Sequence, residues 1–141
     1  MNVKIHGFYF FHFNMDLSNG PCVAKRLSGC GAGHEYFAVA ENGDLYPCHQ
    51  FVGREKYKLG TIFDGVQNKE LPKYFRESHV LNKEKCRNCW ARFFCSGGCH
   101  AKADLFHGHS RQPYEVGCEI QKKRLECAIL VQACLALEKS K

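Results

Sequence analysis

The chain has 141 residues, a formal net charge of +6 and an apolar content of 45%. This length and apolar content suit one domain with one core. The basic residues do not form the basic tail that is typical of many nucleic-acid-binding proteins. Its ten cysteines, about 7% of the residues, lie below the share typical of secreted disulfide scaffolds.

The N-terminal segment lacks the features of a secretion signal. His12, Asn14 and Asp16 interrupt the apolar stretch 8–17, and no small-residue cleavage site follows it. No segment is long and apolar enough to span a bilayer. We therefore predict a cytoplasmic protein without a membrane partner. In that reducing compartment, clustered thiols are interpreted as metal ligands rather than as disulfides.

Residues 11–17 alternate strictly between apolar and polar side chains. This alternation predicts a half-buried strand whose inner face carries the four apolar side chains. A glycine-rich loop, Ser28–Gly33, then surrounds Cys30.

A β-hairpin is predicted next, because two extended segments flank a turn with Asn42 and Gly43 at its centre. Both turn residues tolerate positive φ, which favours a tight reversal. The reversal returns Cys48, which ends the second strand, toward the loop around Cys30. The two extended segments are 36–40 and 45–48.

The C-terminal half is predicted to be mainly loop and helix. A short extended piece is expected at 59–62, and one or two helical turns over 71–78, after Pro72. Gly97-Gly98 excludes a continuous helix between Cys86 and Cys99, whereas a long helix is expected over 115–139. Its predicted apolar face comprises Ile120, Leu125, Ile129, Leu130, Ala133 and Leu137, with Cys127 and Cys134 as small core residues.

Seven cysteines form one extended pattern. Twelve residues separate Cys30 from Gly43, four more lead to Cys48, and a C-x2-C-x5-C-x3-C run precedes a final cysteine. Dense sulfur ligands separated by glycines suit iron–sulfur clusters, because each iron takes a thiolate and the backbone must bend sharply between ligands. The run and the final cysteine are Cys86, Cys89, Cys95, Cys99 and Cys118.

Other metal sites fit this pattern less well. Zinc also accepts four thiolates, but zinc ribbons usually pair two C-x2-C motifs, and this chain has one. Haem attachment fails because Trp90 follows Cys89 where a histidine is required. Zinc therefore stays open as the alternative to iron–sulfur.

Basic residues flank the cysteines, and we interpret them as compensation for anionic clusters rather than as a nucleic-acid surface. His49 and His100 directly follow candidate ligands and are predicted to be surface neighbours rather than ligands. No nucleic-acid partner is expected. The flanking basic residues are Lys85, Arg87, Arg92 and Lys102.

The complete cysteine pattern resembles the SPASM domain, the auxiliary-cluster domain of many peptide-modifying radical SAM enzymes. Four further stretches are similar to the maturases of SCIFF peptides, which form thioether links. These stretches are Gly20–Cys22, Ser28–Gly33, Gly43–Phe51 and Phe94–Cys99.

The resemblance implies two [4Fe–4S] clusters with interleaved ligands. Cys30, Cys48 and Cys99 would hold the first cluster, and Cys22 is either its fourth ligand or a buried thiol. The second cluster would be held by Cys86, Cys89, Cys95 and Cys118. The implied fold is α+β: a small irregular cysteine-rich domain with a β-hairpin, cluster-binding loops and a C-terminal helix.

One departure from the family concerns activity. The catalytic core of radical SAM enzymes needs C-x3-C-x2-C, but Lys102 stands where a third cysteine should follow Cys95 and Cys99. The chain alone is therefore expected to be inactive. The predicted units are 1–20, a strand and linker ending an absent radical SAM barrel, 21–120, the SPASM domain, and 121–141, the C-terminal helix.

The predicted function is that of an auxiliary domain in an enzyme that installs thioether cross-links in a ribosomal peptide. It would transfer electrons, bind the substrate thiol, or do both. Its implied partners are a radical SAM barrel carrying S-adenosylmethionine, a cysteine-rich precursor peptide, and a ferredoxin or flavodoxin as electron donor. The alternatives are a stand-alone ferredoxin-like electron carrier and a zinc-stabilised interaction module.

Overall fold

The computed structural model describes residues 4–5, 8–13, 15–17 and 19–139. Two short N-terminal strands, β1 (Lys4–Ile5) and β2 (Phe8–Tyr9), pair antiparallel.

The predicted strand over 11–17 is wrong in its described residues. A 3-10 turn covers Phe11–Phe13, and residues 15–17 are irregular, while Asn14 lies outside the described residues. The Phe13 amide donates to the Phe10 carbonyl at 3.0 Å, and the two rings meet edge to face at 4.7 Å. These local contacts curl the segment, so its alternation does not produce a strand.

A four-stranded antiparallel sheet occupies the middle of the chain, in the order β3-β4-β5-β6. The predicted hairpin is confirmed as β3 (Ala38–Val39) and β4 (Asp44–Tyr46), with Val39 opposite Leu45. The extended piece near residue 60 forms β5 (Gly60–Thr61), which pairs with both β4 and β6 (Gly65–Val66).

The turn between β3 and β4 differs from the predicted one. Gly43 has a φ of 85°, and Asn42 is not in the positive-φ region. The Gly43 amide donates to the Ala40 carbonyl at 2.9 Å, and the Asp44 amide donates to Asn42 Oδ1 at 3.1 Å. The turn therefore has three residues and one left-handed glycine, and Asn42 contributes a side-chain hydrogen bond.

Helices supply most of the remaining regular structure. The long C-terminal helix lies where the sequence predicts it, and the short helix predicted over 71–78 forms as α2 (Glu70–Glu77), which begins two residues before Pro72 rather than after it. The four other helices were not predicted. The helices are α1 (Val23–Arg26), α2 (Glu70–Glu77), α3 (Glu84–Arg87), α4 (Arg92–Cys95), α5 (His100–His107) and α6 (Glu115–Lys139).

The apolar core is centred on Phe75 of α2, which is fully buried. The rings of Phe51, Tyr57 and His100 lie 5.4 to 5.9 Å from the Phe75 ring. These contacts join α2, α5 and the segment that follows β4 in one core.

A buried carboxylate, Asp104, fixes α5 against the segment that follows β4. Arg54 and Lys56 pair with it at 2.8 and 3.1 Å, and the Tyr57 hydroxyl also donates to it. Burial alone would raise the pKa of Asp104, but the hydrogen bonds from Tyr57 and Lys56 and the two positive charges outweigh it and lower that pKa. Because α5 begins directly after Cys99, this network fixes Cys99 relative to the sheet.

The predicted apolar face of α6 is mostly uncovered. Leu125 and Ala128 are buried, but Ile120, Leu130 and Leu137 are 63 to 68% exposed. Cys127 is half-buried and Cys134 is exposed, so the core assignment is wrong for Cys134. The second half of the helix still contacts the N-terminal segment, because Gln132 Nε2 donates to the Met15 carbonyl at 2.8 Å. Among the described residues, no helix is long and apolar enough to cross a membrane.

Candidate metal centre

Three of the predicted ligands form one group, which we call the hairpin set: Cys30, Cys48 and Cys99. Cys48 follows β4 and is buried, whereas Cys30 lies in the glycine-rich loop and Cys99 precedes α5, both exposed. Burial raises the pKa of the Cys48 thiol, and the neighbouring thiols of Cys99 and Cys30 raise it further. The three sulfur atoms are therefore electrostatic neighbours.

Backbone hydrogen bonds explain why the hairpin returns Cys48 to the loop of Cys30. The Gly33 amide donates to the carbonyls of Tyr36 and Pro47 at 2.9 and 3.0 Å. Pro47 directly precedes Cys48, so this bond joins the two cysteine-bearing segments. The sequence-based prediction that the hairpin brings these segments together is confirmed.

Gly33 also seats the loop on the core. Its φ is 81°, and an added Cβ would lie 2.7 Å from the Phe75 ring. Gly53 has a similar φ of 79°, but an added Cβ would meet nothing within 4 Å. A side chain at either position would strain the backbone, but only a side chain at Gly33 would also clash with Phe75.

We expect Gly33→Ala to destabilise the cluster-loaded chain by about 2 to 5 kcal/mol, because left-handed strain adds to overpacking against Phe75. The matched control, Gly53→Ala, should cost only the strain, about 1 to 2 kcal/mol. Anaerobic guanidinium unfolding compares the two. Equal losses in both variants would show that the Gly33–Phe75 contact does not hold the loop.

The other four predicted ligands form the knot set: Cys86, Cys89, Cys95 and Cys118. They line one cavity of about 570 Å³ between α3, α4 and the first turns of α6. Burial raises the pKa of Cys86 to about 11, with contributions from the thiols of Cys118, Cys95 and Cys89. Burial, Cys95 and Cys89 likewise raise the pKa of Cys118.

A run of three left-handed residues separates the two sets along the chain. Ser96, Gly97 and Gly98 have φ values of 59°, 79° and 73°. This reversal leaves Cys95 in the knot set and sends Cys99 to the hairpin set. The irregular backbone predicted for Cys86–Cys99 is confirmed.

A buried lysine that the sequence analysis did not single out lies between the two sets. Lys83 is 1% exposed, and its Nζ donates to the Gly97 carbonyl at 2.9 Å. By contrast, Lys85, which was proposed to compensate cluster charge, has a 58% exposed side chain and pairs with Glu115. The only signal in the sequence is a lysine three residues before the C-x2-C motif, which is too common to single out.

His100 is buried, so its predicted surface position is wrong. The cause is the unpredicted helix α5, which turns the residue inward onto Phe75. Burial and the nearby charge of Lys83 lower the pKa of His100 to about 4, partly opposed by the backbone of Ser28. Among the described residues, neither ring nitrogen has a hydrogen-bond partner of normal geometry, and the buried Ser96 hydroxyl has none either. His49, in contrast, is exposed as predicted.

Cys22 does not line the cavity of the knot set. It is exposed and lines a separate cavity of about 540 Å³ with Met15, Pro21 and Phe94. None of the hairpin-set cysteines lines that cavity.

The donors present fit an iron–sulfur cube. Four soft sulfur ligands surround a cavity, and a cube takes one thiolate at each iron corner. Lys83, Ser96 and His100 add buried polar groups near the sulfurs, where such groups can tune a bound cluster. Among the described residues, no three His, Cys, Asp or Glu side chains converge closely enough to hold a single metal ion.

Comparison with known proteins supports the iron–sulfur interpretation. Residues 30–90 match the SPASM family, described as an iron-sulfur cluster-binding domain. This match agrees with the resemblance inferred from the cysteine spacing.

Two relatives extend the comparison. The chain is 35% identical over 101 residues to an uncharacterized protein of Archaeoglobus fulgidus, covering 69% of this chain and 24% of that protein. It is 30% identical over 89 residues to a cysteine-type anaerobic sulfatase-maturating enzyme of Clostridium novyi, covering 59% of this chain and 22% of the enzyme. Each match thus spans about a quarter of the relative's length.

Proposed function

We propose that this chain is the auxiliary domain of a radical SAM peptide maturase and holds two [4Fe–4S] clusters. The hairpin set would hold one cluster and the knot set the other. The observation that carries the proposal is the gathering of seven cysteines into two groups that interleave along the chain. The SPASM match and the similarity to a maturating enzyme support it.

The division of the chain follows from this proposal. Residues 1–20 would connect to a radical SAM barrel that binds S-adenosylmethionine, 21–120 would hold the clusters, and 121–141 would complete the C-terminal helix. A small electron carrier such as a ferredoxin or flavodoxin would supply electrons. We propose that the protein acts in the cytoplasm.

Bound clusters would supply one-electron transfer and, where an iron lacks a protein ligand, a site for a substrate thiol. The two sets differ in the number and exposure of their thiols, and this difference suits them to different roles. The knot set offers four thiols around one cavity, whereas the hairpin set offers three, two of them exposed. The hairpin set is therefore the better candidate for substrate contact, and the knot set for electron transfer.

The proposed substrate is a peptide that presents a cysteine. The similarity to thioether-forming maturases favours a ribosomal peptide that receives sulfur–carbon cross-links. The name of the Clostridium novyi relative, a sulfatase-maturating enzyme, favours a sulfatase segment instead. Both substrates present a thiol to the site.

We expect a cysteine-containing peptide to change the EPR signal of one reduced cluster, that of the hairpin set. The physical reason is that three protein thiols leave one iron accessible to a fourth sulfur ligand. A matched peptide with serine in place of cysteine should change neither signal. Changes in both clusters, or in neither, would contradict substrate-thiol binding, and the second result would favour Cys22 as the fourth ligand and a purely electron-transferring role.

A further inference from the structure

Lys83 is the most unusual buried group in the described part of the chain. Its side chain is almost completely enclosed, and among the described residues no carboxylate forms an ion pair with it. Its Nζ donates a hydrogen bond to the Gly97 carbonyl. A buried ammonium group with one neutral acceptor is costly, because its remaining positive charge is not compensated.

The groups facing Lys83 are the candidate cluster ligands. Burial lowers the pKa of Lys83, and the thiols of Cys86, Cys95, Cys118 and Cys99 oppose that effect when they are ionised. Three of these belong to the knot set and one to the hairpin set. An added Cβ on Gly97 would lie 3.3 Å from Nζ, which places the ammonium group directly beneath the reversal between the two sets.

Resting on the proposed function, we infer that Lys83 is the internal counter-charge of both clusters, chiefly the one on the knot set, and that it raises their reduction potentials. Cluster binding turns neutral thiols into thiolates, which supplies the negative charge that the ammonium group lacks. One-electron reduction then adds a further negative charge to the cluster. A fixed positive charge beside it stabilises the reduced form more than the oxidised form.

The test is a potentiometric titration of the loaded 141-residue chain, followed by EPR. Lys83→Met keeps an unbranched side chain without charge, and Lys83→Gln also keeps a donor for the Gly97 carbonyl. We expect both substitutions to lower the reduction potential of the knot-set cluster. The equilibrium constant for one-electron reduction should fall at least tenfold, which corresponds to about 59 mV. The shift at the hairpin set should be smaller, because only Cys99 of that set faces Lys83.

Lys85→Met is the matched control. It removes the same charge only two residues after Lys83, but the Lys85 side chain is 58% exposed. Solvent screening should keep its effect below tenfold. Knot-set potentials in Lys83→Met and Lys83→Gln within the range of this control would overturn the inference.

If neither neutral variant takes up iron, Lys83→Arg decides between charge and shape. Loading restored by arginine supports the counter-charge, and failure of all three variants overturns it. The iron and sulfide content of the parent chain is measured first. A parent without clusters refutes the proposed function, whereas a loaded parent with unshifted variants refutes only the role of Lys83.

Discussion

Replacing Cys99 with alanine is expected to reduce the iron content of the loaded chain from about eight atoms to about four. The hairpin set has three thiols, and two are too few to retain a cube. Cys30→Ala should have the same effect, and combining the two substitutions should remove no further iron. Anaerobic iron and sulfide analysis measures the loss, and EPR of the reduced variants identifies the signal that disappears.

Cys118→Ala should affect the other cluster. Three thiols would remain in the knot set, so we expect an altered knot signal and an unchanged hairpin signal. Cys134→Ala is the matched control, because this exposed thiol belongs to neither set, and it should leave iron and both signals unchanged. Loss of the same signal in Cys99→Ala and Cys118→Ala would show that the partition of ligands is wrong.

Removing the clusters should unfold the region that carries the knot set. Helices α3 and α4 have four residues each and no side-chain caps, and helices this short are not stable by themselves. Iron removal also leaves Lys83 buried without a counter-charge. We expect backbone amides of residues 84–99 to exchange on the order of a hundredfold faster or more after anaerobic chelation.

The core around Phe75 provides the internal control for this experiment. Phe51, Tyr57 and Phe75 bury apolar surface without a metal, so amides of α2 should lose less protection than those of α3 and α4. Equal protection before and after chelation would mean that the fold does not depend on its clusters.

The sequence predicted those parts of the fold that local patterns determine. Gly43 fixes the reversal between β3 and β4, and the helix beginning after Pro113 was predicted from its helical spacing of apolar residues. The alternation in residues 11–17 misled because contacts between Phe10 and Phe13 curl the chain there. A period of two shows that one face could be buried, but whether a strand forms depends on the surrounding contacts.

Cysteine spacing predicted seven ligands, because sulfur ligands and left-handed reversals leave a clear pattern. Their division into the hairpin and knot sets was implied by the resemblance to the SPASM domain, and both ligand sets stay predictions. The surroundings of the candidate site were not predictable. Lys83 and His100 could not be placed, because their burial depends on α5 and on the Ser96–Gly98 reversal. The face of α6 was misjudged because periodicity shows which residues are apolar and not which are covered.

Iron and acid-labile sulfide per chain after anaerobic reconstitution test the central proposal most directly. Two four-iron clusters require about eight of each per chain, and this is the result we expect, with two distinguishable EPR signals on reduction. A chain that binds zinc at full occupancy without sulfide, or that never exceeds about four irons, would contradict two clusters on the hairpin and knot sets.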